Sequence, residues 1–496
     1  MQHYALHHLI RYGIPATVVM FGLAACADVP TSTKLSVPAG ATTSLSASEN
    51  GKHIVVFTGD EAPADFEARI TSRGGTIDEI LTGAGVAIVS GLTGAGATEL
   101  ASTEGVSAVA ADITVGPEAS DELADADVAL STAAPEALST PSSETFPECR
   151  ASTSAPTEAT YFIRQWNLCA IKAYAAWDAG FLGSPDVKVF LLDTGIDYEN
   201  ADLQGLVDPN LSISLLPDTA KEYGNFMGKN PYMDFHSHAT GVASLISSNA
   251  VTLAGVTQKT TLVSVKVLNR FRKGQISVFL RGIYYAANHG ADVIHFSFAF
   301  EGFNKSDSTG QVAGFNKAAA YAHRKGAVMV VAAGNFSVDL DHNQDNWRVC
   351  NTPHVICVAA TGPTAAESIN GGWTDFDSPA TYTNFGRSGI NVAGPGGNDA
   401  PKLRVWLNCS GQGLVATGNP KPCAEHNLLW ESTGTSFGAA VTSGLAALLV
   451  SRMGHGQPDQ IRAVIEKSAD DLGQRGTDPY YGKGRINVAR AMSMLK

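Results

Sequence analysis

The sequence predicts an α/β protein whose parallel sheet is covered by helices on both faces. Continuous apolar runs such as VKVFLLDTGID (187–197) and AVMVVAAGN (327–335) are typical of strands buried on both sides. These runs alternate with helix-like segments, which is the order that builds parallel sheets. Of the 496 residues, 44% are hydrophobic and 16% charged, which is enough apolar material for a large core.

Strands and helices alternate from residue 187 onward. Apolar runs predict strands at 187–197, 261–268, 291–298, 327–335, 354–361 and 390–396. Apolar residues at helical spacing predict helices at 238–248, 276–288, 311–325 and 436–453. Functional residues of such sheets collect at the carboxyl ends of the strands, so those ends are where we expect the chemistry.

Charge and hydropathy exclude two classes of protein. The net charge is −13 and the pI about 5.4, so the basic surface that a nucleic acid requires is not expected. No run of 18 apolar residues is present, which excludes a polytopic membrane protein. The acidic charge is concentrated at residues 27–144, with 18 acidic and 4 basic side chains, and this asymmetry predicts separate parts.

The first 26 residues have the pattern of an export signal. One positive charge, Arg11, precedes an apolar stretch from Ile14 to Ala25 that is short for a membrane span. The segment LAAC (23–26) resembles a bacterial lipoprotein signal, which implies cleavage before Cys26, lipidation of its thiol and an exported, lipid-anchored protein of the outer membrane or periplasm. An ordinary secretory signal, with release after processing, is the alternative.

Domain boundaries follow from composition. Residues 27–51 are a polar tether, and residues 52–116 alternate strand and helix patterns as a small α+β unit would. Residues 117–160 form an acidic, polar linker, and residues 161–496 form the body. The small unit has no cluster of chemically reactive side chains, so by itself it is interpreted as an accessory domain.

Cysteine usage agrees with export. Without Cys26 six cysteines remain, and six allow 15 pairings. Close spacing favours Cys350–Cys357 and Cys409–Cys423, which leaves Cys149–Cys169, whereas six buried thiols are the alternative. The absence of a C-x-x-C pair argues against structural zinc.

Four side chains fall where a hydrolytic site needs them. Asp193 and Asn335 end predicted strands, and His238 and Ser436 begin predicted helices. A serine hydroxyl needs a base within hydrogen-bond reach, and that base needs an orienting carboxylate. A side-chain amide and a helix-start N–H can receive the negative charge that forms on attack.

These residues resemble the subtilisin-like serine proteases. The motifs that carry the resemblance are DTGID (193–197), HATGVAS (238–244), AAGN (332–335) and GTSFGAA (434–440), and the similarity extends over about 330 residues. The resemblance implies a serine endopeptidase with catalytic Asp193, His238 and Ser436, oxyanion-binding Asn335, and protein or peptide substrates. No cofactor is required.

The resemblance also implies a substrate-binding edge and a zymogen. Substrate would pair with Ser297, Phe298 and Ala299 and lie near Ala333 and Gly334. Family members usually have glycine where Ala299 stands, so we expect narrower specificity. The small unit resembles the ferredoxin-like propeptide that assists folding, inhibits the catalytic domain of its own chain and is then cut away, here between about 117 and 165.

Several alternatives remain open. His236 and His238 could form a metal pair, but no third ligand is recognised, and His295 in a buried strand is interpreted as structural. Asp202 and Asn249 match two calcium-binding positions of some subtilisins, so structural calcium is possible. A protease-like binding or scaffolding protein without turnover is the alternative function.

Overall fold

A computed structural model describes most of the chain, and all of the described residues belong to one compact unit. The described residues are 51–116, 147–217, 228–298, 303–304, 309–342, 346–400, 402–413 and 429–495. The predicted signal peptide with Cys26, the tether and most of the linker lie outside them.

Residues 52–116 form a four-stranded antiparallel sheet with two helices. Its elements are β1 (Lys52–Phe57), α1 (Phe66–Thr71), β2 (Thr76–Leu81), β3 (Val86–Ser90), α2 (Gly94–Ala101) and β4 (Val106–Ala111). The strand order β2-β3-β1-β4 gives the predicted ferredoxin-like arrangement. The sequence analysis missed β2, because this edge strand is half-exposed and carries Asp78 and Glu79.

The body is built on a sheet of seven strands, all of them parallel. They are β6 (Lys188–Asp193), β7 (Ile213–Ser214), β8 (Thr261–Lys266), β10 (Val293–Phe296), β12 (Val328–Ala332), β14 (Val355–Thr361) and β15 (Val392–Pro395), in the order β15-β14-β12-β10-β6-β8-β7. The predicted fold class is confirmed. The strand β6 lies near the centre, because apolar residues on both of its faces must be covered.

Helices cover both faces of this sheet. They are α3 (Pro147–Ala151), α4 (Trp166–Ala170), α5 (Ala173–Asp178), α6 (His238–Ile246), α7 (Ile276–Asn288), α8 (Thr309–Arg324), α9 (Thr435–Met453), α10 (Pro458–Ser468) and α11 (Val488–Ser493). Helices α6 and α9 share one core with one face of the sheet, and α7 and α8 share a second core with the other face.

Helix α9 runs through the middle of the body. Every residue from Thr435 to Val450 is buried, which explains why this segment is apolar on all sides. It is the one described helix long and apolar enough to cross a membrane, yet 83% of that apolar stretch is buried in the protein.

Three pairs of short strands and the disulfides complete the described fold, and the first pair joins residues 52–116 to the body. The strands are β5 (Thr114–Val115), which pairs with β9 (Gly274–Gln275), β11 (Phe303–Asn304) with β13 (Asn346–Trp347), and β16 (Val405–Asn408) with β17 (Leu429–Ser432). The disulfides Cys149–Cys169 and Cys350–Cys357 are formed as predicted. Cys409 is also disulfide-bonded, and its predicted partner Cys423 lies outside the described residues.

Candidate active site

Asp193 is the last residue of β6 and is fully buried. Its carboxylate lies 2.9 and 3.0 Å from the Nδ1 atom of His238. It also accepts hydrogen bonds from the N–H of Thr194 at 2.6 Å and the hydroxyl of Ser297 at 2.9 Å. Burial alone would raise the pKa of Asp193, but attraction to His238 and these hydrogen bonds outweigh it and hold the pKa well below its usual value.

His238 is the first residue of α6 and is 4% exposed. Ser237, just before it, has a left-handed φ of 94°, and the chain turns there into the helix. The buried carboxylate of Asp234 holds this turn, because it accepts the N–H groups of His236, Ser237 and Thr240 at 2.8 to 3.0 Å. Asp193 therefore orients the imidazole through Nδ1, and Asp234 holds the backbone turn that carries it.

Asp234 is a positioning residue that the sequence analysis missed. It also accepts the Thr194 hydroxyl at 3.0 Å, so one side chain connects the end of β6 to the start of α6. A lone aspartate four residues before a helix resembles an ordinary turn residue, and the spacing to His238 was the only available indication.

Ser436 lies in the first turn of α9 and is 4% exposed. Its hydroxyl donates to the backbone oxygen of Ser297 at 2.9 Å. Phe437, the next residue, packs against His238 with ring centroids 6.2 Å apart, so the helix start lies beside the imidazole. Ser297 thus connects Asp193 to Ser436, because its hydroxyl donates to the Asp193 carboxylate and its carbonyl accepts from the Ser436 hydroxyl.

Asn335 lies three residues beyond the end of β12. Its side-chain oxygen accepts both the N–H and the hydroxyl of Thr435 at 2.9 Å. Because the oxygen is occupied, the NH₂ group is turned away from Thr435. A Cβ on Gly434, the residue before that threonine, would lie 3.6 Å from Nδ2, so the NH₂ group lies beside Gly434, just before α9.

The loop that carries Asn335 is fixed by a second asparagine that the sequence analysis missed. Asn384 is buried, donates its amide to the carbonyl of Ala333 at 2.8 Å and accepts the N–H groups of Phe336 and Val338 at 3.0 Å each. Gly334 has a φ of 103°, a conformation in which a side chain is strained. Nothing in the sequence around Asn384 distinguishes it from a turn residue.

Together these side chains supply the chemical groups that acyl transfer requires. With Nδ1–H donated to Asp193, the Nε2 atom of His238 keeps a lone pair and can take a proton. The first-turn N–H groups of Thr435 and Phe437 donate to Asn335 and to the Gly434 carbonyl. Among these described contacts the Ser436 N–H remains for a developing oxyanion, beside the Asn335 amide.

The residues predicted to bind substrate differ in their location and contacts. Ser297 lies at the site, whereas the Phe298 side chain is fully buried and stacks on Phe279 at 5.7 Å, so only its backbone could meet a peptide. The N–H and C=O groups of Ala333 and Gly334 make hydrogen bonds within the protein. Ala299 lies outside the described residues.

The second histidine of this region, His295, is fully buried on β10. Its Nδ1 lies 2.9 Å from the Ser443 hydroxyl, and burial lowers its pKa to about 3 despite the nearby charge of Asp193. A structural role was predicted for it, and a neutral buried imidazole agrees with that role. Within the described residues no group of three or more His, Cys, Asp or Glu side chains could hold a metal ion.

An α/β protein that brings a carboxylate, an imidazole, a hydroxyl and an amide to one sheet edge has the groups of a serine hydrolase. The profile of the subtilase family of peptidases matches residues 184–484, so the chain belongs to that family. Members of this family are serine endopeptidases, and the fold described above is the subtilisin-like fold.

Two curated relatives and one solved structure illustrate the similarity. Thermitase from Thermoactinomyces vulgaris is 27% identical over 337 residues, which are 68% of this chain and 99% of thermitase. The thermophilic serine proteinase from Bacillus sp. (strain AK1) is 28% identical, and the match covers 64% of each chain. The epidermin leader peptide processing serine protease from Staphylococcus aureus has a TM-score of 0.65 and 18% identity, with 90% of this chain and 98% of that chain covered.

Proposed function

We propose that the chain is an exported serine endopeptidase that is made as a zymogen and hydrolyses peptide bonds of protein or peptide substrates. Asp193, His238 and Ser436 act as the triad, and Asn335 supports the oxyanion. The observation that carries the proposal is the contact of Ser297 with both Asp193 and Ser436, while the same Asp193 carboxylate orients His238.

In this mechanism the Ser436 hydroxyl first rotates away from the Ser297 carbonyl and donates to Nε2 of His238. Its oxygen attacks the scissile carbonyl as the proton passes to His238. Asp193, with its pKa held low, stays ionised and stabilises the imidazolium. The Asn335 amide and the Ser436 N–H receive the negative charge of the oxyanion, and His238 returns the proton to the leaving amine before water repeats the sequence on the acyl-enzyme.

Residues 52–116 would act as the inhibitor of this site. One face of their sheet carries Ile54, Val56 and Val86, which are buried in the same core as α7 and α8 of the body. The other face is covered by α1 and α2. A sheet with one face buried against a second part of the chain would lose that burial on separation, which supports tight association before any cut.

Polar contacts fix the orientation of this association. The buried carboxylate of Asp112 accepts the N–H of Ser277 at 2.9 Å and its hydroxyl at 2.6 Å, at the start of α7. The Ile276 N–H donates to the carbonyl of Ile113, and β5 then pairs with β9. A strand of this unit therefore occupies an edge of the body that a peptide could otherwise use.

The predicted signal peptide and the disulfides support the export part of the proposal. The predicted signal with lipidation at Cys26 would anchor the uncut chain to a membrane, and disulfides such as Cys149–Cys169 persist in oxidising compartments. Mass spectrometry of the matured N-terminus tests both processing steps. A lipid on Cys26 and a new N-terminus between 117 and 165 are expected, and an intact, unlipidated chain would contradict them.

A fluorophosphonate probe tests the catalytic proposal. It should label the wild-type chain and fail to label Ser436→Ala. Ser451→Ala is a matched control, because Ser451 lies on the same helix and bonds only the Leu448 carbonyl among the described contacts. Labelling that survives in Ser436→Ala, or a wild-type chain that neither reacts nor cuts peptides after processing, would support the non-catalytic alternative.

A further inference from the structure

The two candidate calcium ligands, Asp202 and Asn249, lie in the turn after β6 and the loop after α6. Asp202 is fully buried, and its carboxylate accepts the N–H groups of Val251 and Thr252 at 2.6 and 3.0 Å. It also accepts the N–H of Leu253 at 3.0 Å, the side-chain amide of Asn408 at 2.7 Å and the hydroxyl of Thr252. Five hydrogen-bond donors therefore surround the two carboxylate oxygen atoms of Asp202.

The carbonyl groups of this loop point to other partners. Each carbonyl oxygen from residue 251 to residue 254 accepts a hydrogen bond from another part of the protein, at 2.5 to 3.1 Å. The donors are, in order, Thr160, Tyr161, Ser248 and Gln165. The loop thus presents its N–H groups to Asp202 and its oxygen atoms away from it.

Asn249 has the same orientation. Its side-chain amide donates to the carbonyl groups of Ala201 and Gln204 at 3.1 and 2.9 Å, and its backbone N–H donates to the carbonyl of Asp202 at 2.7 Å. It contributes hydrogen atoms, not an oxygen atom, to the turn that carries Asp202.

Calcium requires the opposite arrangement. It takes about six to eight oxygen ligands at about 2.3–2.6 Å, from carboxylates, carbonyl groups and water. The groups that surround the Asp202 carboxylate are N–H and O–H donors, whose hydrogen atoms carry positive partial charge and repel a cation. The residues at this position therefore do not fit calcium.

We propose that this cluster, Asp202 with its donors Val251, Thr252, Leu253 and Asn408, does in this chain what a bound calcium ion would do. Hereafter it is the Asp202 cluster. It joins the turn after β6, the loop after α6 and the end of β16 through one buried carboxylate. The carbonyl groups of this loop also accept hydrogen bonds from Thr160, Tyr161 and Gln165, near the start of the body. The fold is consequently independent of calcium.

Thermal unfolding of the full chain tests this directly. The Ser436→Ala background prevents self-digestion, so the measurement does not depend on the catalytic proposal. A cation that binds the native state raises the unfolding temperature with its concentration. We expect the same unfolding temperature in excess chelator and in millimolar calcium. A rise with calcium concentration that chelator reverses would overturn the proposal.

Asp202→Asn gives the second measurement, because an amide in this place turns an NH₂ group toward donors. We expect the unfolding temperature to fall by about 2 °C or more, equally in chelator and in calcium. Asp208→Asn is the control, since Asp208 accepts two backbone N–H groups in a partly exposed turn, and it should change little. A fall confined to the calcium sample, or no fall at all, would contradict the role of the Asp202 cluster.

Discussion

Asp193 is the last residue of β6 and Asp202 lies in the turn after it; both carboxylates are fully buried, yet their surroundings differ in one respect. The Asp193 carboxylate is hydrogen-bonded to the imidazole of His238, a partner that can gain and lose a proton. Asp202 is surrounded by backbone N–H groups, an amide and a hydroxyl, whose protonation is fixed. The comparison teaches that burial alone does not mark a reactive aspartate, and that the chemistry of the partner decides.

The largest expected effect separates the two carboxylates. Asp193→Asn should lower kcat about 10⁴-fold, because the amide no longer selects the His238 tautomer or stabilises its cation. Asp202→Asn should leave kcat within a few-fold at a temperature below its unfolding midpoint. Steady-state kinetics on one peptide substrate, with thermal unfolding of both variants, measures this. If the two variants lost activity equally, the distinction would be wrong.

A second pair of variants makes the same comparison with amides. Asn335→Leu should lower kcat about 10²–10³-fold with KM nearly unchanged, since the amide acts only on the developing oxyanion. Asn408→Leu removes an amide of the Asp202 cluster and should lower the unfolding temperature while kcat stays near the wild-type value. An Asn335→Leu variant that changes KM alone would place its amide in substrate binding instead.

Acid sensitivity of folding gives a third test, at His295. The pKa of His295 is near 3 in the folded chain and about 6.5 when unfolded, so the unfolded state binds the proton first. Stability is therefore complete above pH 6.5 and falls as the pH drops toward 3, by about 1.4 kcal/mol per pH unit from this group.

Denaturant unfolding of Ser436→Ala between pH 7 and pH 4 checks this expectation. His295→Asn in that background should reduce the slope of stability against pH, because the group that takes up the proton is removed. His289→Asn, which removes an exposed histidine instead, is the comparison variant. Equal slopes in the two variants would mean that His295 does not titrate as stated.

The smallest expected effect concerns a carboxylate that is half exposed. Asp60 pairs with Lys317 and Arg324 of the body, both at 3.2 Å, and its side chain is 50% exposed. Because exposed ion pairs contribute little, Asp60→Asn should speed separation of residues 52–116 from the body at most about fivefold after a cut.

The appearance of peptidase activity over time, at low and high salt, measures this separation. Asp65→Asn is the control, because Asp65 pairs with Arg69 inside the same unit. Asp112→Asn removes a buried contact and should speed the separation more than Asp60→Asn does. If Asp60→Asn had the larger effect on the separation rate, the expected order of buried and exposed carboxylates would be wrong.

Long, strongly patterned elements were predictable from the sequence, and so was the placement of the candidate site residues at or near the ends of those elements. The helix at 276–288 has the predicted bounds, and Asp193, His238 and Ser436 lie at the ends of elements as expected. Asn335 lies three residues beyond the end of β12, because that strand is shorter than the predicted one. Such positions can be predicted because continuous apolar runs indicate strands that are buried on both faces, and the ends of these runs locate the ends of the strands. The predicted helix at 238–248 ends at Ile246, because the chain turns there toward Asp202.

What could not be predicted depends on contacts between distant segments. Asp234 and Asn384 each resemble ordinary turn residues, and their roles are visible only once the loops that they hold are folded. The antiparallel pair of β16 and β17 has polar residues such as Asn408 and Glu431 in buried places, which no local pattern distinguishes from a loop. The orientation of the peptide groups around Asp202 is likewise not encoded by any single residue.

The disulfide Cys149–Cys169 would span a cut made between 149 and 165, but neither described disulfide crosses a cut made between 117 and 146. Before such a cut the connecting segment keeps the two pieces at a local concentration near millimolar. Afterwards, as far as these disulfides are concerned, only the non-covalent interface would hold residues 52–116 on the body. If these residues inhibit the site as proposed, the interface would persist in a crowded compartment and dissociate on dilution, so a protease released from its proposed lipid anchor would become active as it diffuses away.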